Sequence, residues 1–456
     1  MVVDSLPPAN DTDCRLLAYQ VLRRVAAGGY ADLTLDAALR RSALASRDRA
    51  LATELVYGSL RRRASLDYAL APSCRQPLAT LEPAVLDLLR LGAYQLLFLD
   101  RVPAHAAIHS SVELTRQLRL QRAAGLVNAV LRALQRRQPQ LRWPTAEEDP
   151  LGWLTATLSL PDWLAQRWWN QYGLQPAGRL AACLLLPAPL TLRVNRLQTT
   201  PAQLLAQLAE AGYAAEACRY AVDGIRLLQP VTDLTALPGF ASGAFQPQDE
   251  ASQLIAPLLQ PQAGQRLLDV CAAPGGKTCH LAALTHNQAD ILAVDLHAHR
   301  LRKLEQGARR LGCQRVQTLC LDMRLSDACL PDAAFDGVLV DAPCSGLGVL
   351  RRNAELRWRR QPDDIADLAQ LQQQILQQAA RRVAPGGRLL YSLCTTTPEE
   401  SDAQVAEFLR RQPDFELEPL QDRLPPELLD AQGCLRTCPS VHDGMDGFFA
   451  ACLRRR

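Results

Sequence analysis

Two cysteines of this chain follow apolar runs that are typical of buried β-strands. Cys344 comes directly after GVLVDAP (337–343), and Cys394 lies near the end of RLLYSLCT (388–395). Small polar residues follow each cysteine, which leaves its thiol room to react. A thiolate at such a place is a nucleophile that can form a covalent adduct with a substrate. Either cysteine alone would more often be a small apolar core residue.

The segment DVCAAPGGKT (269–278) supplies a second element of chemistry in the same half of the chain. The apolar run RLLDV (266–270) leads into a turn with one proline and two glycines, and a helical segment begins at Thr278. A strand, a glycine turn and a helix start form the place where an α/β sheet binds a nucleotide-like ligand. With two strand-end cysteines, this turn predicts group transfer through a cysteine adduct.

Three aspartates end later strand-like runs and favour a particular class of ligand. Asp295 ends ILAVD, about 25 residues beyond the first strand, where an acid suits a ribose diol. Asp322 ends VQTLCLD, and Asp341 lies in GVLVDAP. Such acids beside a glycine turn suit a neutral nucleoside-bearing cofactor better than a triphosphate.

A P-loop nucleotide hydrolase is the main competing interpretation. CAAPGGKT nearly matches the phosphate loop GxxxxGK[ST], with Cys271 in place of the first glycine. GVLVDAP resembles the strand whose aspartate helps to hold Mg²⁺ in such enzymes. This alternative predicts binding of ATP with Mg²⁺.

The elements that would position these residues alternate between strand and helix from about residue 246. This alternation predicts a mostly parallel α/β sheet, whose remaining candidate strand is FFAACLR (448–454). Before it, residues 11–140 show helical apolar spacing, and 138–152 resembles a linker. Between them lies a mixed region with strand-like TLRVNRL (191–197). We therefore predict an all-α domain at 1–145, an α+β connecting domain at 146–245 and the α/β domain at 246–456.

Charge is distributed unevenly along the chain. The net charge is +3, but residues 15–142 hold 20 arginines against 9 acidic residues, so the remainder is net acidic. This asymmetry favours a nucleic-acid-facing helical domain. The arginines cluster at 23–24, 40–41, 61–63 and 136–137. The alternative is an ordinary solvated helix surface.

Composition limits the remaining classes. The chain has 456 residues, 48% of them hydrophobic, and no apolar run approaches the ~20 residues of a membrane span. Its start lacks a secretory signal pattern, and 14 scattered cysteines favour free thiols in the cytoplasm. No CxxC pair occurs, and His105 and His109 lack the glutamate of a zinc helix, so no metal site is predicted.

At these residues the chain resembles a known family. DVCAAPGGKT, LAVD, LDMR, DAPCSGLGVLRRNAELRW and YSLCTTTPEESD are similar to the successive motifs of RNA cytosine-5 methyltransferases of the NOL/NOP/Sun type. The segments 101–114 and 125–136 resemble NusB-like RNA-binding domains. The resemblance implies a Rossmann-like class I methyltransferase sheet, preceded by an all-α NusB-like domain and a small α+β, RRM-like domain. It further implies S-adenosylmethionine as cofactor and 16S ribosomal RNA as substrate of a monomeric enzyme.

The same resemblance assigns roles to single residues. Cys394 is then the nucleophile that adds to cytosine C6, and Cys344 assists release of the product. Asp341 is expected to hydrogen-bond the cytosine ring edge and also to contact the cofactor. Asp295 would bind the ribose and Asp322 would lie near the adenine, although LDMR is a loose version of its motif. The turn that holds the amino-acid part of the cofactor comprises Cys271, Ala272, Ala273, Pro274, Gly275, Gly276 and Lys277.

A non-catalytic RNA-binding or assembly factor built on the basic helical domain is the alternative from another class. It predicts that replacement of Cys394 leaves the function intact.

Overall fold

The computed structural model describes residues 13–231, 233–328 and 330–456, without the side chains of 326–328. The N-terminal segment on which the absence of a secretory signal was predicted lies outside these residues. The chain forms two compact units: Met1–Pro187 with Leu350–Arg359, and Ala188–Val349 with Arg360–Arg456. The predicted division at 145 and 245 follows other boundaries and stays a prediction.

The first unit is helical, as predicted. Helix α1 begins after Asp13, whose side chain accepts hydrogen bonds from the backbone N–H groups of Arg15 and Leu16. Its apolar spacing buries one face against the other helices, and α7 buries Val127, Val130, Leu131 and Leu134 in the same way. The helices are α1 (Cys14–Ala26), α2 (Ala31–Arg41), α3 (Ser46–Arg61), α4 (Arg63–Leu70), α5 (Pro83–Phe98), α6 (Ala104–Gln117), α7 (Ala124–Arg137), α8 (Pro150–Gly152), α9 (Asp162–Tyr172), α10 (Leu174–Cys183) and α15 (Leu356–Arg359).

The segment 138–152 is more than a linker. Leu141 and Trp143 pack against the helical core of this unit. The Trp143 ring lies 5.6 Å from that of Tyr68 and 6.4 Å from that of Phe98, measured between centroids. This segment is rich in prolines and acidic residues, which are typical of linkers. Its two apolar side chains that pack against the core were therefore not predicted to do so.

One of the predicted basic clusters, 61–63, packs against other side chains of the helical unit. Arg61 is only 9% exposed, Arg62 stacks over Phe98, and Arg63 stacks over Trp358. Burial lowers the pKa of all three arginines. The interpretation of 61–63 as phosphate-binding surface is therefore wrong for Arg61, because helical periodicity turns this position toward the core.

A small antiparallel sheet opens the second unit. Its order is β2-β3-β1-β4, and α11 crosses between β1 and β2. Helix α11 starts with a capping box between Thr200 and Gln203 and has a proline at its first position. The elements are β1 (Leu190–Val194), α11 (Pro201–Glu210), β2 (Ala215–Ala217), β3 (Gly224–Leu227) and β4 (Phe245–Pro247).

A larger sheet, eight-stranded within the described residues, carries the predicted α/β architecture. Its order is β10-β12-β9-β8-β5-β6-β7, with β11 paired to β12. The pairs from β9 to β7 are parallel, whereas β12 runs antiparallel to β9 and β10. The strands are β5 (Arg266–Val270), β6 (Asp290–Asp295), β7 (Val316–Cys320), β8 (Phe335–Asp341), β9 (Val383–Leu393), β10 (Phe415–Glu418), β11 (Leu435–Arg436) and β12 (Phe449–Arg455).

The strand order places a topological switch point at β5. Strand β6 lies on one side of β5 and β8 on the other, so the carboxyl ends of these strands border the crevice where α/β sheets bind ligands. The register pairs Asp341 with Ser392 and Asp295 with Cys320. The helices of this layer are α12 (Glu250–Leu258), α13 (Gly276–Leu284), α14 (Ala298–Leu311), α16 (Pro362–Arg382) and α17 (Asp402–Arg411).

The strand prediction is confirmed for β5 to β9 and for β12. The short strands β10 and β11 were not predicted, because FELE (415–418) alternates over only four residues and β11 has only two. No helix among the described residues is long and apolar enough to cross a membrane.

Candidate active site

The turn after β5 requires glycine at one position for a steric reason. Gly275 has a φ of 99°, and a Cβ there would lie 2.5 Å from Cγ of Leu304. A side chain would therefore strain the backbone and also collide with α14. Directly after Gly275, α13 begins and presents its N-terminal backbone N–H groups at the switch point. This cradle fits the charged end of a nucleoside cofactor.

A buried arginine of the small sheet supports this turn. Arg193 of β1 is 1% exposed and donates hydrogen bonds to the carbonyl oxygen of Gly276 and, at 2.6 Å, to Oε1 of Gln248. Burial lowers its pKa to about 10. Sequence analysis missed Arg193, whose only signal was a charged residue inside the strand-like run TLRVNRL.

Asp295 lies against the turn, at the end of β6. It is 3% exposed, and its Oδ2 accepts a hydrogen bond from the N–H of Ala273 at 3.1 Å. Its Oδ1 accepts from the N–H of His297 at 2.9 Å. The carboxylate therefore orders the cofactor turn, and its bond to a ribose stays a prediction.

Asp322 has a different environment. Its carboxylate is held by Arg324 at 2.6 Å, and these hydrogen bonds lower the pKa of Asp322. The preceding Leu321 donates its N–H to the carbonyl oxygen of Asp295 at 3.1 Å, which brings this segment beside β6. Contact with an adenine stays a prediction.

The buried Lys277 and the partly exposed Asp341 form an ion pair between the turn and β8. Nζ of Lys277 lies 2.7 Å from Oδ2 of Asp341, and Oγ of Ser392 donates to Oδ1 at 2.7 Å. The ammonium also lies 5.3 Å from the ring centroid of Phe448. This pair links the turn after β5 to the end of β8.

The two candidate catalytic cysteines meet. Sγ of Cys344 lies 3.3 Å from Sγ of Cys394, within hydrogen-bonding distance for sulfur. The hydrogen bond to Cys394, together with burial, raises the pKa of Cys344 well above its ordinary value. Both causes favour the protonated form of the Cys344 thiol.

Asp269 is a buried carboxyl group behind the turn. It is fully buried, and burial raises its pKa to about 7. Oγ1 of Thr278 donates a hydrogen bond to its Oδ2 at 2.5 Å. Across the described part of the chain, no group of three or more His, Cys, Asp or Glu is arranged to hold a metal ion.

Family models match three stretches of the chain. Residues 256–454 match the 16S rRNA methyltransferase RsmB/F model, 12–136 match the NusB family, and 160–233 match the ferredoxin-like domain of RsmF/B-like methyltransferases.

Curated relatives match nearly the whole length. The chain is 37% identical to "Probable ribosomal RNA small subunit methyltransferase B" of Bacillus subtilis, over 94% of this chain and 95% of that protein. It is 38% identical to "Ribosomal RNA small subunit methyltransferase B" of Pseudomonas putida, over 88% of this chain and 89% of that protein.

Solved structures agree with the fold. The crystal structure of PH0851 covers 99% of both chains, with a TM-score of 0.84 and 27% identity. A methyltransferase homologue protein from Pyrococcus horikoshii covers 67% of this chain and 99% of its own, with a TM-score of 0.58 and 29% identity.

The fold and the site thus define a class I methyltransferase that uses S-adenosylmethionine. Within this class, the chain belongs to the ribosomal RNA small subunit methyltransferase B family. The predictions of a NusB-like domain, of the fold class and of the cofactor are confirmed.

Replacement of Asp295 by Ala should weaken S-adenosylmethionine binding about ten- to a hundredfold, because hydrogen bonds to a charged acceptor contribute roughly 1.5–3 kcal/mol. Titration calorimetry would measure this affinity. Asp290→Ala is the matched control, since Asp290 begins the same strand and its carboxylate pairs with Arg315. Equal affinities for the two variants would overturn the assignment of Asp295.

Asp269 makes the stability of the protein depend on pH. An aspartate in an unfolded chain ionises near pH 4, whereas folded Asp269 keeps its proton up to about pH 7. Its stabilising contribution is therefore fully present below about pH 4 and is lost as the pH rises to 7, by up to about 4 kcal/mol. In urea unfolding, Asp269→Asn should gain stability over the wild type across this window. Parallel pH profiles of the two proteins would contradict the shift.

Proposed function

We propose that this protein methylates C5 of a cytosine in 16S ribosomal RNA, through a covalent bond between Cys394 and C6. The observation that carries this proposal is the 3.3 Å separation of the Cys344 and Cys394 thiols at the carboxyl edge of the sheet. Relatives over most of the chain bear the name of small-subunit ribosomal RNA methyltransferases, which supports this substrate.

Cytosine C5 needs activation before it can accept a methyl group. Addition of the Cys394 thiolate to C6 turns C5 into an enamine-like nucleophile. S-adenosylmethionine, when bound, supplies an electrophilic methyl group. Afterwards a base removes the C5 proton, the C5–C6 double bond re-forms, and the C6–S bond breaks to return the thiolate. The target base has to be extruded or single-stranded to reach this pocket.

Cys344 assists the last step. Its protonated thiol lies beside the sulfur that departs from C6. A hydrogen bond from this thiol stabilises the thiolate as it forms, and so it favours release. The close approach of the two sulfurs thus supports one cysteine for attack and the other for elimination.

Asp341 is the group we assign to the cytosine ring edge. A carboxylate has about four acceptor sites, and Lys277 and Ser392 each take one. The remaining lone pairs can accept a hydrogen bond from the exocyclic amino group of cytosine, or from N3 once it is protonated. Lys277 and Ser392 hold the carboxylate in a fixed orientation, so it requires little reorganisation during reaction.

The helical unit is the part we assign to the RNA backbone. Arg24, Arg41 and Arg136 are exposed, each within a different predicted cluster. Exposed guanidinium groups bind phosphate and release counterions. We also propose that the protein acts as a monomer in the cytoplasm.

Replacement of Arg24, Arg41 and Arg136 by Gln together should weaken RNA binding and flatten its dependence on salt. The slope of log affinity against log salt should fall by about 0.7–0.9 per lost phosphate contact. Arg302→Gln, an exposed arginine of the other unit, is the control. Equal slopes for wild type and triple variant would show that these arginines do not contact phosphate. Point variants are preferable to a fragment 146–456, since Leu350–Arg359 belongs to the helical unit.

The two cysteines should separate in an adduct assay. Cys394→Ala should abolish methylation and any covalent complex, because the attacking sulfur is gone. Cys344→Ala should accumulate a protein–RNA complex that survives denaturing electrophoresis in the presence of S-adenosylmethionine. The double variant should trap nothing.

Reversed behaviour of the single variants would reverse the roles, and trapping by neither would contradict the covalent mechanism. Bisulfite sequencing of ribosomal RNA, with and without the protein, tests the substrate. If no cytosine mark disappears without the protein, the proposed function fails. If the wild-type protein methylates no cytosine and Cys394→Ala keeps its RNA-binding function, the non-catalytic alternative is favoured.

A further inference from the structure

Glu400 is a fully buried carboxylate that contacts the loops of both cysteines. Its Oε2 accepts hydrogen bonds from Oγ of Ser345 at 2.5 Å and from Oγ1 of Thr397 at 2.6 Å. Its Oε1 accepts from the N–H of Ser345 at 2.8 Å and from Nε2 of Gln372 at 3.0 Å. Ser345 directly follows Cys344, so this carboxylate holds the residue next to that thiol by both backbone and side chain.

The two cysteines are supported differently. Cys394 directly follows β9, whose Leu393 still pairs with Phe449 of β12. The sheet therefore places Cys394 without help from Glu400. Cys344 lies beyond the end of β8, in a segment without helix or strand. Its position depends on hydrogen bonds to the loop.

Neighbouring side chains complete this support. Gln372 donates to the carbonyl oxygen of Pro343 at 2.9 Å as well as to Glu400. Arg360 donates to the carbonyl oxygens of Ser345 at 2.8 Å and of Cys344 at 3.2 Å. Tyr391 donates its hydroxyl to the backbone carbonyl of Glu400 at 2.8 Å, which anchors the carboxylate to β9. Glu400 thus links the Cys344 loop to the strand that places Cys394.

We propose that Glu400 is a positioning residue for product release, which acts through Ser345 to hold the Cys344 thiol against Cys394. This inference rests on the proposed function, because it assigns Glu400 to the elimination step. The side-chain and backbone groups that contact its carboxylate oxygens are donors, so the site requires an acceptor without hydrogens. Glutamine has nearly the same shape, but its NH₂ group would face hydroxyl and N–H donors.

Glu400→Gln should therefore impair release more than attack. A displacement of about 1 Å at a reacting group can lower the reaction rate on the order of a hundredfold. We therefore expect the rate of release to fall by about ten- to a hundredfold. The covalent protein–RNA complex should accumulate, as for Cys344→Ala, while affinity for S-adenosylmethionine stays unchanged. Ser345→Ala removes a single hydroxyl and should accumulate the same complex to a smaller extent. Glu399→Gln changes the adjacent, exposed carboxylate and should behave as wild type.

The experiment compares these full-length variants by denaturing electrophoresis with labelled ribosomal RNA and S-adenosylmethionine, alongside thermal unfolding and cofactor titration. Accumulated complex in Glu400→Gln and Ser345→Ala supports the inference. A folded Glu400→Gln protein with normal turnover, or with neither complex nor methylation, overturns it. If Glu400→Gln fails to fold, Ser345→Ala decides in the same way. Absence of complex in Cys344→Ala would instead contradict the proposed function itself.

Discussion

Parallel pairing of β5, β6, β8 and β9 is the constraint on which the rest of the site depends. Parallel strands end at the same edge of a sheet, so residues distant in the chain meet there. The register pairs Asp341 with Ser392 and thereby places a hydroxyl beside a carboxylate. The same edge brings Cys344 and Cys394, which are 50 residues apart, to a distance of 3.3 Å.

Charges buried inside the protein are a second feature of this design. Arg193, Asp269 and Glu400 are almost completely buried, although burial of an unpaired charge is costly. Hydrogen bonds offset part of this cost: Arg193 donates to the carbonyl oxygen of Gly276 in the turn, and Glu400 accepts from the N–H of Ser345 in the Cys344 loop. Burial raises the pKa of Asp269 instead, so it favours the neutral form. The two buried charges with hydrogen-bond partners, Arg193 and Glu400, thus lie beside the turn and the Cys344 loop that they hold in place.

The segment Leu350–Arg359 packs within the helical unit. It lies between the two cysteines in sequence, yet its residues belong to the helical unit. There Nε1 of Trp358 donates to the carbonyl oxygen of Leu60 at 2.7 Å, and Oε1 of Glu355 accepts from the N–H of Ala31 at 3.0 Å. Neither unit is therefore a continuous stretch of the chain, and a cut between domains would remove part of one.

The sequence by itself determined the succession of strands and motifs along the chain, because apolar runs and glycine turns are local signals. Through the resemblance of these motifs it also determined the family and the cofactor. It also identified Cys344, Cys394 and Lys277 as candidates, since each stands beside such a signal. Only the tertiary structure decided which groups meet: the ion pair of Lys277 with Asp341, and the support that Arg193 gives the turn. Glu400 lies in the motif YSLCTTTPEESD, but the sequence indicated no role for it. Its hydrogen bonds to Ser345, 55 residues away, exist only after the sheet has formed. Likewise, composition predicted a linker at Trp143, whereas this side chain packs, partly buried, against the helical core. It predicted a basic surface at Arg61, whereas the position of Arg61 on its helix turns the side chain toward the core.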